Sequence, residues 1–259
     1  MTALSDEFRR VPLAHRGLHD VTDARPENSR AGLRAAIAAG YGIEIDLQPS
    51  RDGRPMVFHD YDLGRLTEET GPIRQRDAAE LARIRLVGGD EGIPDLSGIL
   101  GLVAGRVPLL VELKDQHGQM GETDGTLEEA TARALDGYSG PVAVMSFNPS
   151  MVARMARLVP NVPRGIVTCG FRADDWPLLA PETRARLRDI PGYASSGAHF
   201  VSQHIHDLDT PRIAALRAEG ATILCWTVCS AEAERTARRV ADNITFEGYL
   251  PEIPARIPA

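Results

Sequence analysis

Short β-like runs and Ala/Leu/Arg-rich helical stretches alternate almost from end to end of this chain. The β-like runs are Val11–Ala14, Ile43–Leu47, Pro108–Leu113, Val142–Ser146, Arg164–Thr168, Ala198–Ser202, Thr222–Thr227 and Asn243–Phe246, eight in all. Helical patterns fill most of the gaps, at Ala31–Ala39, Leu127–Leu135, Ser150–Leu158, Arg184–Arg188, Pro211–Glu219 and Ala231–Val240. Strands separated by helices predict a parallel sheet, because parallel neighbours need a long crossover and the right-handed one packs back onto the sheet. An open doubly wound sheet would share this rhythm, but the Gly-rich dinucleotide turn that would favour it is absent. Eight units in 259 residues match the roughly 250 residues of a TIM (β/α)₈ barrel. The expected fold is therefore α/β, a TIM barrel formed as one domain over residues 1–259.

One stretch breaks the rhythm. About 60 residues separate the second run from the third. Asp52-Gly53 between Leu47-Gln48 and Met56-Val57-Phe58 reads as a small hairpin. A weak helical segment follows near Asp77–Arg83. This predicts an insertion at about 48–106, on the catalytic face where such loops carry function. Before it, Asn28 reads as the N-cap of the Ala31–Ala39 helix and Gly40 as its stop.

Charge and cysteine usage narrow the function. Lys and Arg number 29 against 36 Asp and Glu, a formal charge of −7. An acidic chain is a poor general partner for nucleic acid, so none is expected. Any phosphate it handles needs local cations or a metal. Cys169, Cys225 and Cys229 are too few and odd in number for a disulfide framework, which suits a reducing compartment. Cys225 and Cys229 flank an apolar segment and are expected to be buried structural thiols. The polar segment Met1–Arg10 has no apolar signal core and no run reaches 18 apolar residues. The expectation is a cytoplasmic protein with no stable membrane anchor.

The polar residues fall at strand ends. His15-Arg16-Gly17 closes the first run, Glu44 and Asp46 share one face of the second, and His59-Asp60 closes the hairpin strand. Glu112 and Lys114 share a face on the third. Each alone has an ordinary structural reading, as an ion-pair partner or a loop histidine. Together they stand where a barrel builds its active site. Three carboxylates on adjacent strands repel one another without a cation, and all-oxygen ligands suit a hard divalent ion, Mg²⁺ or Ca²⁺, better than zinc.

These motifs, taken in order, resemble the glycerophosphodiester phosphodiesterases. The resemblance runs through His15-Arg16-Gly17, Pro26-Glu27-Asn28-Ser29, Glu44-Ile45-Asp46-Leu47-Gln48, and Asp52-Gly53 leading into Val57-Phe58-His59-Asp60. It continues in Leu63-Gly64-Arg65-Leu66-Thr67, Gly71, Ile93-Pro94-Asp95-Leu96, Glu112-Leu113-Lys114 and Trp226-Thr227-Val228. It implies a TIM barrel with a small insertion after the second strand. It also implies His15 and His59 as general acid and base, Glu44, Asp46 and Glu112 as ligands of one divalent cation, and Arg16 and Lys114 as phosphodiester ligands. Trp226 would line the alcohol pocket or serve only as packing. The implied reaction is hydrolysis of a glycerophosphodiester to an alcohol and glycerol 3-phosphate.

Some positions depart from the family pattern. Thr245-Phe246-Glu247-Gly248 stands where Thr-Asp followed shortly by Pro is commoner, so Phe246 is expected to change the pocket rim. Cys229 follows Val228 where a polar residue is more usual, and His199, His204 and His206 belong to no family motif. Other readings of the motifs make different demands on the chain. A lysophospholipase-D-like enzyme would need an apolar groove beside the site, and a non-catalytic barrel binding phosphorylated ligands would not need two histidines. A sugar-phosphate isomerase or aldolase would want a base on a carbon substrate.

Overall fold

The computed structural model describes residues 4–253. Nine strands follow in order: β1 (Leu13–Ala14), β2 (Gly42–Pro49), β3 (Pro55–Val57), β4 (Leu109–Leu113), β5 (Val142–Ser146), β6 (Arg164–Thr168), β7 (Phe200–His204), β8 (Thr222–Val228) and β9 (Asn243–Phe246). All but β3 pair in parallel, and β1 hydrogen-bonds both β2 and β9, so eight strands close into a barrel. The expected TIM barrel is the fold found. β3 pairs with β2, antiparallel, with Leu47 opposite Val57, and forms the hairpin expected at Asp52-Gly53.

Alternation along the strands sorts the core into two layers. On β2 and β4, Ile43, Ile45, Leu47, Leu109, Val111 and Leu113 face the helices. The opposite face points into the barrel, where Leu13, Leu110, Ala143, Phe200 and Leu224 fill the lower interior. Gly165 makes room for this packing, since a Cβ there would lie 2.2 Å from the Phe200 ring. The short helix Glu7–Arg10, not expected from the sequence, seats Phe8 in the same cluster. Asn243 anchors that segment by donating to the carbonyls of Phe8 (2.8 Å) and Val11 (2.7 Å).

Three details differ from expectation. The helix Arg30–Ala39 is capped by Ser29, whose hydroxyl accepts from the Gly32 N–H at 3.0 Å, and Asn28 is left for another task. Gly40 ends the helix with φ +81°, as expected. β7 begins two residues later than expected, because its register with β6 runs from Gly165 opposite Phe200 to Thr168 opposite Gln203. The helix Leu96–Val103, capped by Asp95, was not expected; two glycines dilute its pattern. It packs against the helices Arg30–Ala39 and Thr126–Leu135, as a barrel helix does, so part of the 48–106 stretch belongs to the barrel. The segment before it has its own small core of Met56, Phe58, Leu63, Ile73, Leu81 and Ile93.

Candidate active site

The β2–β4 register builds the centre of the site. Asp46 lies opposite Glu112 and Glu44 opposite Leu110. Glu44 is two residues from Asp46 on the inward face, so three carboxylates meet at the carboxyl end of the barrel. An oxygen from each lies within 4.8 Å of the others. All three are buried, Glu44 at 2%, Asp46 at 1% and Glu112 at 6% exposure.

Two cations offset this charge. Lys114 places its ammonium 2.7 Å from both Asp46 Oδ1 and Glu112 Oε1. Burial alone would lower its pKa, but the two carboxylates hold it well above the ordinary lysine value. Arg16 places Nε 3.3 Å from Asp46 Oδ2 and donates from a terminal nitrogen to Glu27 Oε1 at 2.7 Å. Among the described residues, Glu44 accepts a hydrogen bond from the Arg16 backbone N–H alone, at 3.1 Å. Burial and the neighbouring Asp46 and Glu112 charges therefore push its carboxyl well above the ordinary range. Asp46 is held low despite its burial, by Lys114, His59 and Arg16. Asn28 secures it, donating from Nδ2 to Oδ2 at 3.0 Å and accepting the Asp46 N–H on Oδ1 at 3.3 Å. Arg16 and Asn28 both adopt left-handed φ, +54° and +58°, a conformation uncommon outside glycine.

Two imidazoles flank the cluster, each tied to a carboxylate. His59 Nδ1 lies 2.6 Å from Asp60 Oδ1. Arg65 holds Asp60 in turn, with contacts of 2.6 and 2.8 Å, and reaches Glu27 at 2.9 Å. His15 Nδ1 lies 2.6 Å from Glu247 Oε2. Burial lowers the His15 pKa and the Glu247 hydrogen bond opposes it.

His15, Arg16, Glu44, His59, Glu112 and Lys114 line a cavity of about 550 Å³, and Asp46 is buried beside Glu44 and Glu112. Met120, Met145, Phe147, Val167, Trp176 and Trp226 add apolar surface to the same cavity. Trp226 donates its indole N–H to the Ser202 carbonyl at 3.0 Å and meets Phe147 edge-on at 5.6 Å, so it offers the cavity a ring face or edge. The structure thus brings His15, Arg16, Glu44, Asp46, His59, Glu112, Lys114 and Trp226 to one place. Arg16 and Lys114 are engaged with carboxylates there.

Other expectations need correction. Phe246 does not reach the pocket rim. It is 1% exposed and packs against Tyr41 at 4.8 Å, while Thr245 faces the cavity and Glu247 reaches His15. Cys225 is buried as expected, but Cys229 is exposed, one residue past the end of β8. His204 stacks edge-on behind Trp226 at 4.8 Å, His206 lies beside it, and His199 accepts the Arg164 N–H at 3.3 Å. Asn28, Glu27, Asp60, Arg65 and Glu247 are site groups to which the sequence assigns no role there. Glu247 left no local signal because its partner is 232 residues away, whereas Asp60 stood beside His59 in the sequence all along.

The profile of the Glycerophosphoryl diester phosphodiesterase family matches residues 15–243. The glycerophosphodiester phosphodiesterase of Bacillus subtilis is 26% identical over 208 residues, 72% of this chain and 67% of its own. A phosphodiesterase of Oleispira antarctica, solved with the product sn-glycerol-3-phosphate, superposes with a TM-score of 0.73 at 23% identity, covering 91% of each chain. A glycerophosphodiester phosphodiesterase from Parabacteroides distasonis gives 0.71 at 22% identity, covering 92% of each. With the matched region running from His15 to the first residue of the last barrel strand, the chain belongs to the glycerophosphoryl diester phosphodiesterase family and is a phosphoric diester hydrolase.

Proposed function

We propose that the protein hydrolyses glycerophosphodiesters to an alcohol and glycerol 3-phosphate, with His15 and His59 as the acid–base pair and one divalent cation held by Glu44, Asp46 and Glu112. The observation that carries this reading is the meeting of three buried carboxylates and two carboxylate-tied imidazoles on one cavity. The donor set fits a hard cation. It offers only oxygens, and Lys114 and Arg16 supply two positive charges against three carboxylates. Bound there, Mg²⁺ or Ca²⁺ would withdraw charge from the phosphodiester. The likeness to the Oleispira antarctica enzyme, solved with sn-glycerol-3-phosphate, supports the product assignment.

The residues divide the remaining work. Arg16 and Lys114 line the cavity beside the cluster and supply positive charge to the substrate's non-bridging oxygens. One imidazole takes the proton from the attacking oxygen, which is the substrate's own glycerol 2-hydroxyl or a water. The other protonates the departing alkoxide. Trp226 and its apolar neighbours exclude water from one side of the reacting group. That apolar wall also favours a second reading, hydrolysis of lysophospholipids, since such substrates need an apolar groove beside the phosphate. Among the described residues no helix is long and apolar enough to cross a membrane, and three unpaired thiols suit the cytoplasm we propose. A panel of glycerophosphodiesters and lysophospholipids, assayed with Mg²⁺, Ca²⁺ or chelator, tests the reading. Cation-dependent release of glycerol 3-phosphate is expected, and no turnover of any diester with either cation would overturn it.

A further inference from the structure

We infer that Glu247 is the positioning residue of His15: its carboxylate fixes the ring so that Nδ1 carries the hydrogen and Nε2 is the nitrogen left to the substrate. The inference rests on the acid–base role proposed for His15 and names a residue that role depends on.

The geometry is built by barrel closure. β1 and β9 pair with Ala14 opposite Phe246, and the His15 N–H donates to the Phe246 carbonyl at 2.9 Å. Along β9 the side chains alternate. Thr245 faces the cavity and Phe246 turns out to Tyr41. Glu247, just past the strand, extends to His15. Its own N–H donates to the Val228 carbonyl at 3.1 Å, which fixes the backbone from which the carboxylate reaches. The resulting Nδ1–Oε2 distance is 2.6 Å. His19 approaches the same oxygen at 3.6 Å and Cys229 Sγ lies 3.8 Å from the other, so the carboxylate is held on both sides.

Chemistry then sets the tautomer. An ionised carboxylate only accepts, so the ring nitrogen facing it must donate. That leaves Nε2 on the side of the cavity that His15 lines. His59 repeats the arrangement, with Nδ1 on Asp60. The two histidines thus have the same orienting device, one carboxylate supplied by the next residue and one from the far end of the chain. A structural ion pair is the competing explanation. The backbone ladder between β1 and β9, however, already closes the barrel without the Glu247 side chain.

The test has two arms. In ¹⁵N-histidine-labelled protein, long-range proton–nitrogen correlations report which ring nitrogen of His15 bears the hydrogen. Wild type should show Nδ1–H, and Glu247→Gln should lose that preference. This arm needs no turnover, so it reads the Glu247–His15 pairing even if the proposed hydrolysis fails. In the second arm, with Mg²⁺ supplied, Glu247→Gln should lower kcat about 10²-fold with KM within about threefold of wild type, the pattern of a misdirected imidazole. Glu247→Asp should recover most of that loss, and it keeps the test open should the Gln variant fold poorly. In a His15→Ala background, Glu247→Gln should cost less than about twofold more, because the group it orients is gone. An unchanged tautomer in Glu247→Gln, or losses that multiply in the double variant, would overturn the inference.

Discussion

Replacing Lys114 with Met keeps the bulk of the side chain and removes the ammonium that bridges two buried carboxylates. Lys114 is 13% exposed and its partners Asp46 and Glu112 are 1% and 8% exposed at the side chain, with both contacts at 2.7 Å. Removing one partner of such a buried pair costs about 3–5 kcal/mol, chiefly because the remaining charge is uncompensated. Glu44 and Glu112 are both pushed upward by burial and can relieve part of that by taking up a proton. The expected loss is therefore near the lower end, about 3 kcal/mol, or roughly 6–12 °C in Tm for a chain of this length. A divalent cation bound to the three carboxylates would replace the missing charge. At about 100 times its Kd it adds about 2.7 kcal/mol to any state that binds it. It should add more to the variant, where no ammonium competes for Asp46 and Glu112. Urea unfolding of both proteins, in excess chelator and in excess Mg²⁺, measures this directly. The gap between wild type and variant should be wide in chelator and should shrink to about 1 kcal/mol or less with the cation. Equal stability in chelator, or a gap that the cation leaves unchanged, would refute the reasoning.

Other consequences can be measured as readily. His15→Ala and His59→Ala should each lower kcat by about 10²–10⁴. Whichever variant lacks the general acid should recover most activity on a p-nitrophenyl diester, and equal losses on both substrates would contradict a division into acid and base. Chelation should abolish turnover and Mg²⁺ or Ca²⁺ restore it, while Glu44→Gln and Asp46→Asn should weaken cation binding, read by calorimetric titration, with the fold intact by circular dichroism. Glu247, through hydrogen bonds from His15 and His19, is held well below the ordinary carboxylate range; so is Asp60, where bonds from Arg65 and His59 outweigh its burial. The unfolded chain then binds their protons first, so their stabilisation is complete above about pH 5 and is lost as the pH falls further. Glu247→Gln and Asp60→Asn should each flatten the decline of the urea midpoint between about pH 5 and pH 3 relative to wild type.

Much of this molecule is legible in its sequence because two periodicities are kept so strictly. Ile43-Glu44-Ile45-Asp46-Leu47 declares both a strand and its polar face, and the register with Val111-Glu112-Leu113 follows once β2 and β4 are neighbours. β5, β6 and β9 begin and end where their apolar runs do. Leu96–Val103 carries a weak sequence signal because Gly98 and Gly101 dilute its helical pattern and because it follows a segment that breaks the rhythm. Asn28 looked like a helix cap because Asn and Ser are both good caps. Only the tertiary fold shows that Ser29 takes that place and Asn28 faces Asp46. Glu247 is a matter of barrel closure, since no local pattern joins the two ends of the chain. The compensation of the carboxylates by Lys114 is likewise a matter of distance across β2 and β4, though its residues were all in view.

The most direct measurement is ³¹P NMR of a glycerophosphodiester incubated with wild-type protein and with Glu112→Gln, each in Mg²⁺ or Ca²⁺. Glu112 pairs with Asp46 across the two strands that carry the cluster. The wild-type protein should convert the diester resonance into that of glycerol 3-phosphate, with the variant slower by two orders of magnitude or more, roughly the loss expected when a group that stabilises transition-state charge is removed. Formation of the other phosphomonoester, or glycerol 3-phosphate released equally fast by both proteins, would contradict a reaction at Glu44, Asp46 and Glu112.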